Sequence, residues 1–161
     1  MKTAAGFAYL YLIFLIALLS VAAAATTAIY RYDRIRSEEA ELQRIGAEFR
    51  QALHRFRDSR PERAYPASLD ELLLDRRSYP YKRHLRKLYY DPITRKQDWG
   101  LVVRAGRIVG VHSISDKAPM KVAGFSAEDA AFKGSAHYSD WVFLAAPDAG
   151  RGKPVDNGRA N

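Results

Sequence analysis

From residue 3 to residue 30 the chain carries no charged side chain, and residues 7–21 are mostly apolar. An uncharged run of this length suffices for one helical crossing of a bilayer, which takes ~20 apolar residues. Lipid offers no partner to open backbone N–H and C=O groups, so a single segment can cross only as a helix. Residues 7–30 are therefore predicted to form a transmembrane helix. The helical pattern continues past it into polar sequence. Ile35, Leu42, Ile45, Phe49, Ala52 or Leu53, and Phe56 recur in steps built of three and four, with Arg, Glu and Gln between them. That spacing puts one apolar stripe on an amphipathic helix, so residues 31–57 read as an extension of the same helix. Pro61 and the polar residues before it end it, because proline cannot continue a helix interior. Such a helix would be on the order of 80 Å long at 1.5 Å per residue. Its apolar half would need to be solvated by lipid or by copies of itself.

After the helix the signals become shorter. Ser68-Leu69-Asp70-Glu71 has the form of a capping box, in which the serine hydroxyl and the glutamate carboxylate each take a backbone N–H. It predicts a short helix from Leu69 to about Asp75, with Leu69, Leu72 and Leu73 able to pack on the 42–56 stripe. Two β-rich runs, 99–103 and 107–112, flank Ala105-Gly106 and predict a hairpin. The turn type stays open, since Ala-Gly is a poorer turn pair than Asn-Gly. A third strand is predicted at 138–144, after a loop at 116–136. Residues 145–161 are rich in Gly, Pro, Asp, Asn and Arg without apolar periodicity, so disorder is expected there. The fold class is α+β, with a long N-terminal helix packed on a small antiparallel sheet and a globular domain at 58–144. No internal repeat is present.

Charge and composition narrow the compartment only in part. Of 161 residues, 26 are Lys or Arg and 18 Asp or Glu, a net charge of +8, and cysteine is absent. Small exported domains often supplement a thin core with disulfides; this one must rely on packing or on neighbours. The first segment also fits a cleavable secretory signal, with Lys2 before the apolar core and an alanine run at 22–25 behind it. Against that reading, the apolar run continues through Ala28 and Ile29, with helical periodicity directly after it.

Enzymatic chemistry finds no foothold. His54, His84, His112 and His137 are scattered, and neither a phosphate-cradling glycine loop nor a G-x-S-x-G elbow occurs. His112 and Ser113 are neighbours on a predicted strand and face opposite sides. Arg76, Arg77, Lys82, Arg83, Arg86, Lys87, Arg95 and Lys96 lie among Tyr79, Tyr81, Tyr89 and Tyr90. Cations interleaved with rings suit single-stranded nucleic acid, but a solvated basic face, or one meeting acidic partner subunits or lipid headgroups, is the simpler account of the cluster. Nucleic acid is not the expected partner.

Gly6-Phe7 followed by an unbroken apolar helix resembles the processing site of the type IV pilins and of the pseudopilins of type II secretion. Tyr65-Pro66-Ala67-Ser68-Leu69-Asp70-Glu71-Leu72-Leu73, then Leu85-Arg86-Lys87-Leu88-Tyr89-Tyr90-Asp91-Pro92, are similar to the segments that follow the long helix in major pseudopilins. Tyr138-Ser139-Asp140-Trp141-Val142-Phe143 is similar to a strand motif in their relatives. The resemblance spans roughly residues 1–146. It implies a leader at 1–6, cleavage after Gly6 by a prepilin peptidase, and N-methylation of Phe7. It also implies a single-pass protein of the inner membrane with its globular domain in the periplasm. The implied partners are other pseudopilins, inner-membrane assembly-platform proteins and membrane lipid. The basic flank at Arg31, Arg34 and Arg36, against Lys2 alone on the other side, argues for the opposite orientation.

The family also carries a glutamate at the fifth mature position, where this chain has Tyr11. A tyrosine cannot supply the charge, and this departure points to an atypical or minor subunit. Major pseudopilins hold calcium in a C-terminal loop, and the matching region here offers Asp116, Glu128, Asp129 and Asp140, without the family's spacing. Oxygen ligands of this kind suit calcium, which is the one cofactor the resemblance brings into view. The implied function is structural, as a subunit of a periplasmic pseudopilus. The alternatives are a minor pilin of a type IV pilus or DNA-uptake machine, and a single-pass membrane scaffold that never polymerises.

Overall fold

A computed structural model describes the backbone of residues 4–77 and 79–145, and their side chains except at 4–6 and 22–29. Helix α1 covers Ala4–Asp58. The chain divides into two units within this helix, one ending at Ser37 and one beginning at Glu38. The division falls seven residues beyond the predicted end of the membrane segment, so the first polar turns of α1 belong to the N-terminal unit.

In the N-terminal unit every described side chain from Phe7 to Val21 is exposed, on all sides of the helix. Phe7, Tyr11 and Phe14 stand 78%, 67% and 66% open. No helix among the described residues is long and apolar enough to cross a membrane. The predicted crossing at 7–30 runs over 22–29 and so lies partly outside the described side chains, and the leader predicted at 1–6 lies wholly outside them.

The second unit is a mixed α+β fold. From Leu42 onward the apolar stripe of α1 behaves as its periodicity predicts: Leu42, Ile45, Phe49, Ala52, Leu53 and Phe56 are all at most 3% exposed, whereas Ile35, its first predicted member, is half-buried and belongs to the N-terminal unit. They share one core with Trp99, Ile108, Val111, Phe132, Trp141 and Phe143. Phe49 meets Trp99 edge-on at 5.1 Å, and Phe132 lies parallel to Trp141 at 5.5 Å. Strands β1 (Gly100–Arg104) and β2 (Arg107–His112) form the predicted hairpin, with Leu101 opposite Val111 and a bulge between Val102 and Val103. Ala105 and Gly106 both have positive φ, 47° and 71°. Two left-handed residues in a two-residue loop match the twist of the flanking strands. Alanine takes that conformation against its own preference.

Three expectations change. Strand β3 is only Phe143–Leu144, paired antiparallel to β2 at Gly110 and Val111. Residues Tyr138–Asp140 of the predicted third strand form a 3-10 turn instead. The Asp140 carboxylate accepts from the backbone N–H groups of Ala136 and His137 at 3.0 and 2.9 Å, a local bond that competes with a strand ladder. Helix α2 is Asp70–Leu73, shorter than predicted, and no side chain caps it. Glu71 reaches back to the N–H of Ala67 at 3.3 Å, one residue short of the predicted box. Leu69 is already helical, and Leu74 turns extended so that Asp75 can pair with Lys82. Finally, Ala145 belongs to the core rather than to a tail, fully buried and donating its N–H to Val109 at 2.9 Å. The disorder expected beyond it falls on 146–161, outside the described residues.

Candidate functional site

The residues singled out for processing and assembly sit in the N-terminal unit. The Gly6–Phe7 bond lies in the first turns of α1, where the N–H groups have no intrahelical acceptor. A protease that requires an extended substrate would have to unwind only that end. Tyr11 lies four residues on, one helical turn from Phe7, and both side chains are exposed.

The four candidate calcium ligands are not brought together. Among the described residues no group of three or more His, Asp or Glu side chains could hold a metal ion. Glu128 and Asp129 open the 3-10 turn Ala127–Phe132, and both face the same cation. Arg50, on α1, donates to Asp129 at 2.7 Å, to Glu128 at 2.9 Å and to the carbonyl of Leu144 at 3.1 Å. Its guanidinium also stands over the Phe143 ring. Asp140 is spent on backbone N–H groups, as described above, and Asp116 is exposed. A guanidinium thus occupies the position between two carboxylates that a cation would need, and ties α1 to β3 and to the loop before it.

The basic and aromatic cluster separates into interior and exposed members. Arg77 is structural: it donates to both carboxylate oxygens of Asp75, to the Phe56 carbonyl and to Ser59, and lies 3.5 Å from the centre of the Phe56 ring. Asp75, 1% exposed, also contacts His84 Nε2 at 3.1 Å. The Arg77 guanidinium holds the Asp75 carboxyl well below the usual carboxylate range. Burial lowers the His84 imidazole below its ordinary value, opposed by the Asp75 carboxylate. Ser59 donates to the Phe56 carbonyl at 2.7 Å. The histidine meets the carboxylate and not the hydroxyl, so the three groups form a structural network without a base set against a nucleophile.

Tyr89 is buried, with its hydroxyl on Glu48. Arg95 donates to Glu38 at 3.2 Å. The rings of Tyr79 and Tyr81 meet each other edge to face at 6.1 Å. Arg83, Arg86 and Lys87 are exposed and line a cleft of about 450 Å³ together with Leu73, Leu74, Leu88, Tyr90 and Gln97.

Besides Asp75, two buried acids escape the sequence reading. Glu39, 3% exposed, accepts from the N–H groups of Met120 and Lys121 at 2.6 and 3.1 Å and from the Tyr138 hydroxyl at 2.9 Å. Burial, followed by the Glu39 carboxylate, pushes the Tyr138 hydroxyl above its usual range. Asp91, fully buried, accepts from the Ile93 N–H at 2.8 Å and the Ser113 hydroxyl at 2.6 Å. The only local signal for either is position: Glu39 lies three residues before Leu42, on the edge of the apolar stripe, and Asp91 precedes a proline. Compared with known proteins, the chain matches no family model, no curated protein and no solved structure.

Proposed function

We propose that this chain is a pseudopilin-like subunit of a type II protein secretion apparatus, anchored in the inner membrane with its second unit in the periplasm. Its role would be mechanical, through helices bundled in a short pseudopilus with other pseudopilins and with assembly-platform proteins of the membrane. The observation that carries this reading is the change of character along one helix. From Phe7 to Val21 α1 is apolar and exposed on every side, whereas from Leu42 to Phe56 it is amphipathic and buries one stripe. A helix that is apolar all round needs lipid or other helices around it. The order of the motifs, Gly6-Phe7 first and the 65–73, 85–92 and 138–143 segments after it, supports the family chosen.

Within this reading Tyr11 points to an atypical or minor subunit, because a neutral phenol cannot attract the amine of a neighbouring subunit through a charge-assisted contact; the second reading is a single-pass scaffold that does not polymerise. Mass spectrometry of the mature N-terminus separates the two. An N-methylated Phe7 supports the subunit reading, and an intact Met1 in a strain with active prepilin peptidase supports the scaffold. Gly6→Val crowds the scissile bond with a β-branched side chain and should block leader removal. Identical masses for parent and variant in that strain would rule out processing at this bond.

A further inference from the structure

The cleft between α2 and the 83–90 segment has a composition of its own. Its floor is aliphatic, from Leu73, Leu74 and Leu88, and three exposed cations, Arg83, Arg86 and Lys87, stand around it. The Leu88 side is held by the Gln97 amide, which donates to the Leu88 carbonyl at 3.0 Å. Arg44 holds the Glu41 carboxyl below its ordinary value, and of these cations Lys87 lies close enough to help. Glu41 and Glu48 pair with Arg44 and Asp75 with Arg77, and on α2 Glu71 turns back to the Ala67 N–H. Arg83 and Arg86 have no ion-pair partner among the described residues, and Lys87 stands 5.3 Å from the centre of the Tyr89 ring.

We infer that this cleft is a docking site for an extended acidic segment of a partner protein, one in which an aliphatic side chain sits among Asp or Glu residues. The charge on the rim complements the acids, and the leucine floor complements the aliphatic anchor. At about 450 Å³ the cleft is within the range of built ligand sites. Nucleic acid fits less well, because it needs a run of free stacking rings. Tyr89 is buried with its hydroxyl on Glu48, Tyr79 and Tyr81 engage each other, and only Tyr90 among the tyrosines lines the cleft. A bilayer surface is flat and would leave the concave leucine floor unfilled. This inference does not depend on the filament reading.

The test uses the full chain in phosphatidylcholine nanodiscs and a fluorescein-labelled peptide of alternating glutamate and leucine, followed by anisotropy. Two variants carry the same change of net charge: Arg83→Glu with Arg86→Glu at the cleft, and Lys117→Glu with Lys133→Glu at exposed sites elsewhere. Losing two exposed ionic contacts should weaken binding roughly tenfold in the cleft variant. The control variant should stay within about twofold of the parent, since distant surface charges are screened. Replacing the peptide's leucines by serine should weaken binding as well. Equal losses in both variants, indifference to the leucines, or no saturable binding would overturn the proposal. So would tighter binding of phosphatidylglycerol vesicles or oligothymidylate that is lost with the same cleft variant, which would assign the site to lipid or nucleic acid.

Discussion

Gly46 sits in the C-terminal part of α1, inside the helix and on the buried stripe, where alanine would ordinarily be preferred. In an exposed helix interior, Gly→Ala stabilises by about 1 kcal/mol. Here a Cβ on Gly46 would fall closer than 3.0 Å to ring atoms Cγ, Cδ1 and Cε1 of Phe143. That ring cannot tilt away freely. Phe143 is fully buried, meets Phe132 edge-on at 5.1 Å, and has the Arg50 guanidinium over it. Overpacking a tight core costs about 1–3 kcal/mol, and overlap with three atoms of one ring puts this site near the upper end. The packing cost exceeds the helix gain, so Gly46→Ala should destabilise by about 2 kcal/mol in net. For a unit of about 100 residues that lowers Tm by about 8–16 °C. Thermal unfolding of the full chain in detergent, followed by tryptophan fluorescence, reads it directly, because Trp99 and Trp141 both lie in this core. Phe143→Leu should offset part of the loss, with a coupling of at least about 1 kcal/mol in the double-mutant cycle. A Gly46→Ala chain as stable as its parent would refute the close approach of α1 and β3.

Phe49→Ala empties a fully buried aromatic site edge-on to Trp99 and should cost about 3–5 kcal/mol in urea unfolding; under about 1 kcal/mol would mean the stripe is solvated. Glu39→Ala strands one buried donor, the Tyr138 hydroxyl, and the half-buried N–H groups of Met120 and Lys121, and should cost about 2–3 kcal/mol, with Glu39→Gln milder because its amide oxygen still accepts. Acid should destabilise the fold in two stages. His84, whose pKa is lowered by burial, contributes stability that is complete above about pH 6.5 and is lost as pH falls through its native pKa. Asp75, held low by Arg77, contributes stability complete above about pH 4 that is lost in stronger acid. A Tm-against-pH curve of His84→Gln should lack the first limb and keep the second; retention of both would acquit His84.

The parts legible in the sequence are those encoded by short periods. The 3.6-residue repeat exposed the large apolar members of the buried stripe from Leu42 to Phe56, and two β-rich runs around Ala105-Gly106 gave the hairpin and its centre. Where a side chain competes with the backbone, local pattern misleads. Asp140 caps a 3-10 turn inside an otherwise strand-like run, and Glu71 bonds one residue away from the box its spacing suggests. Long-range pairings were invisible. Nothing near Glu128 or Asp129 signals that Arg50, 78 and 79 residues earlier, will take both. Gly46 left one clue, a glycine in a helix that otherwise favours long side chains, but Phe143 as its cause lies at the other end of the unit.

The distance between those ends has a kinetic consequence. Arg50 closes on Leu144, 94 residues later, and Glu39 on Tyr138, 99 residues later. During synthesis the stripe of α1 therefore appears first and its partners last. At ~5–20 residues per second, completing the sequence between them takes roughly 5–20 s. Throughout that interval Leu42, Phe49 and Phe56 have nothing of their own chain to bury against on the β3 side. Loop closure over so many residues is entropically slow to be rewarded. The nascent helix thus offers a sticky face for seconds, and whatever shields it in that time governs the yield of folded protein.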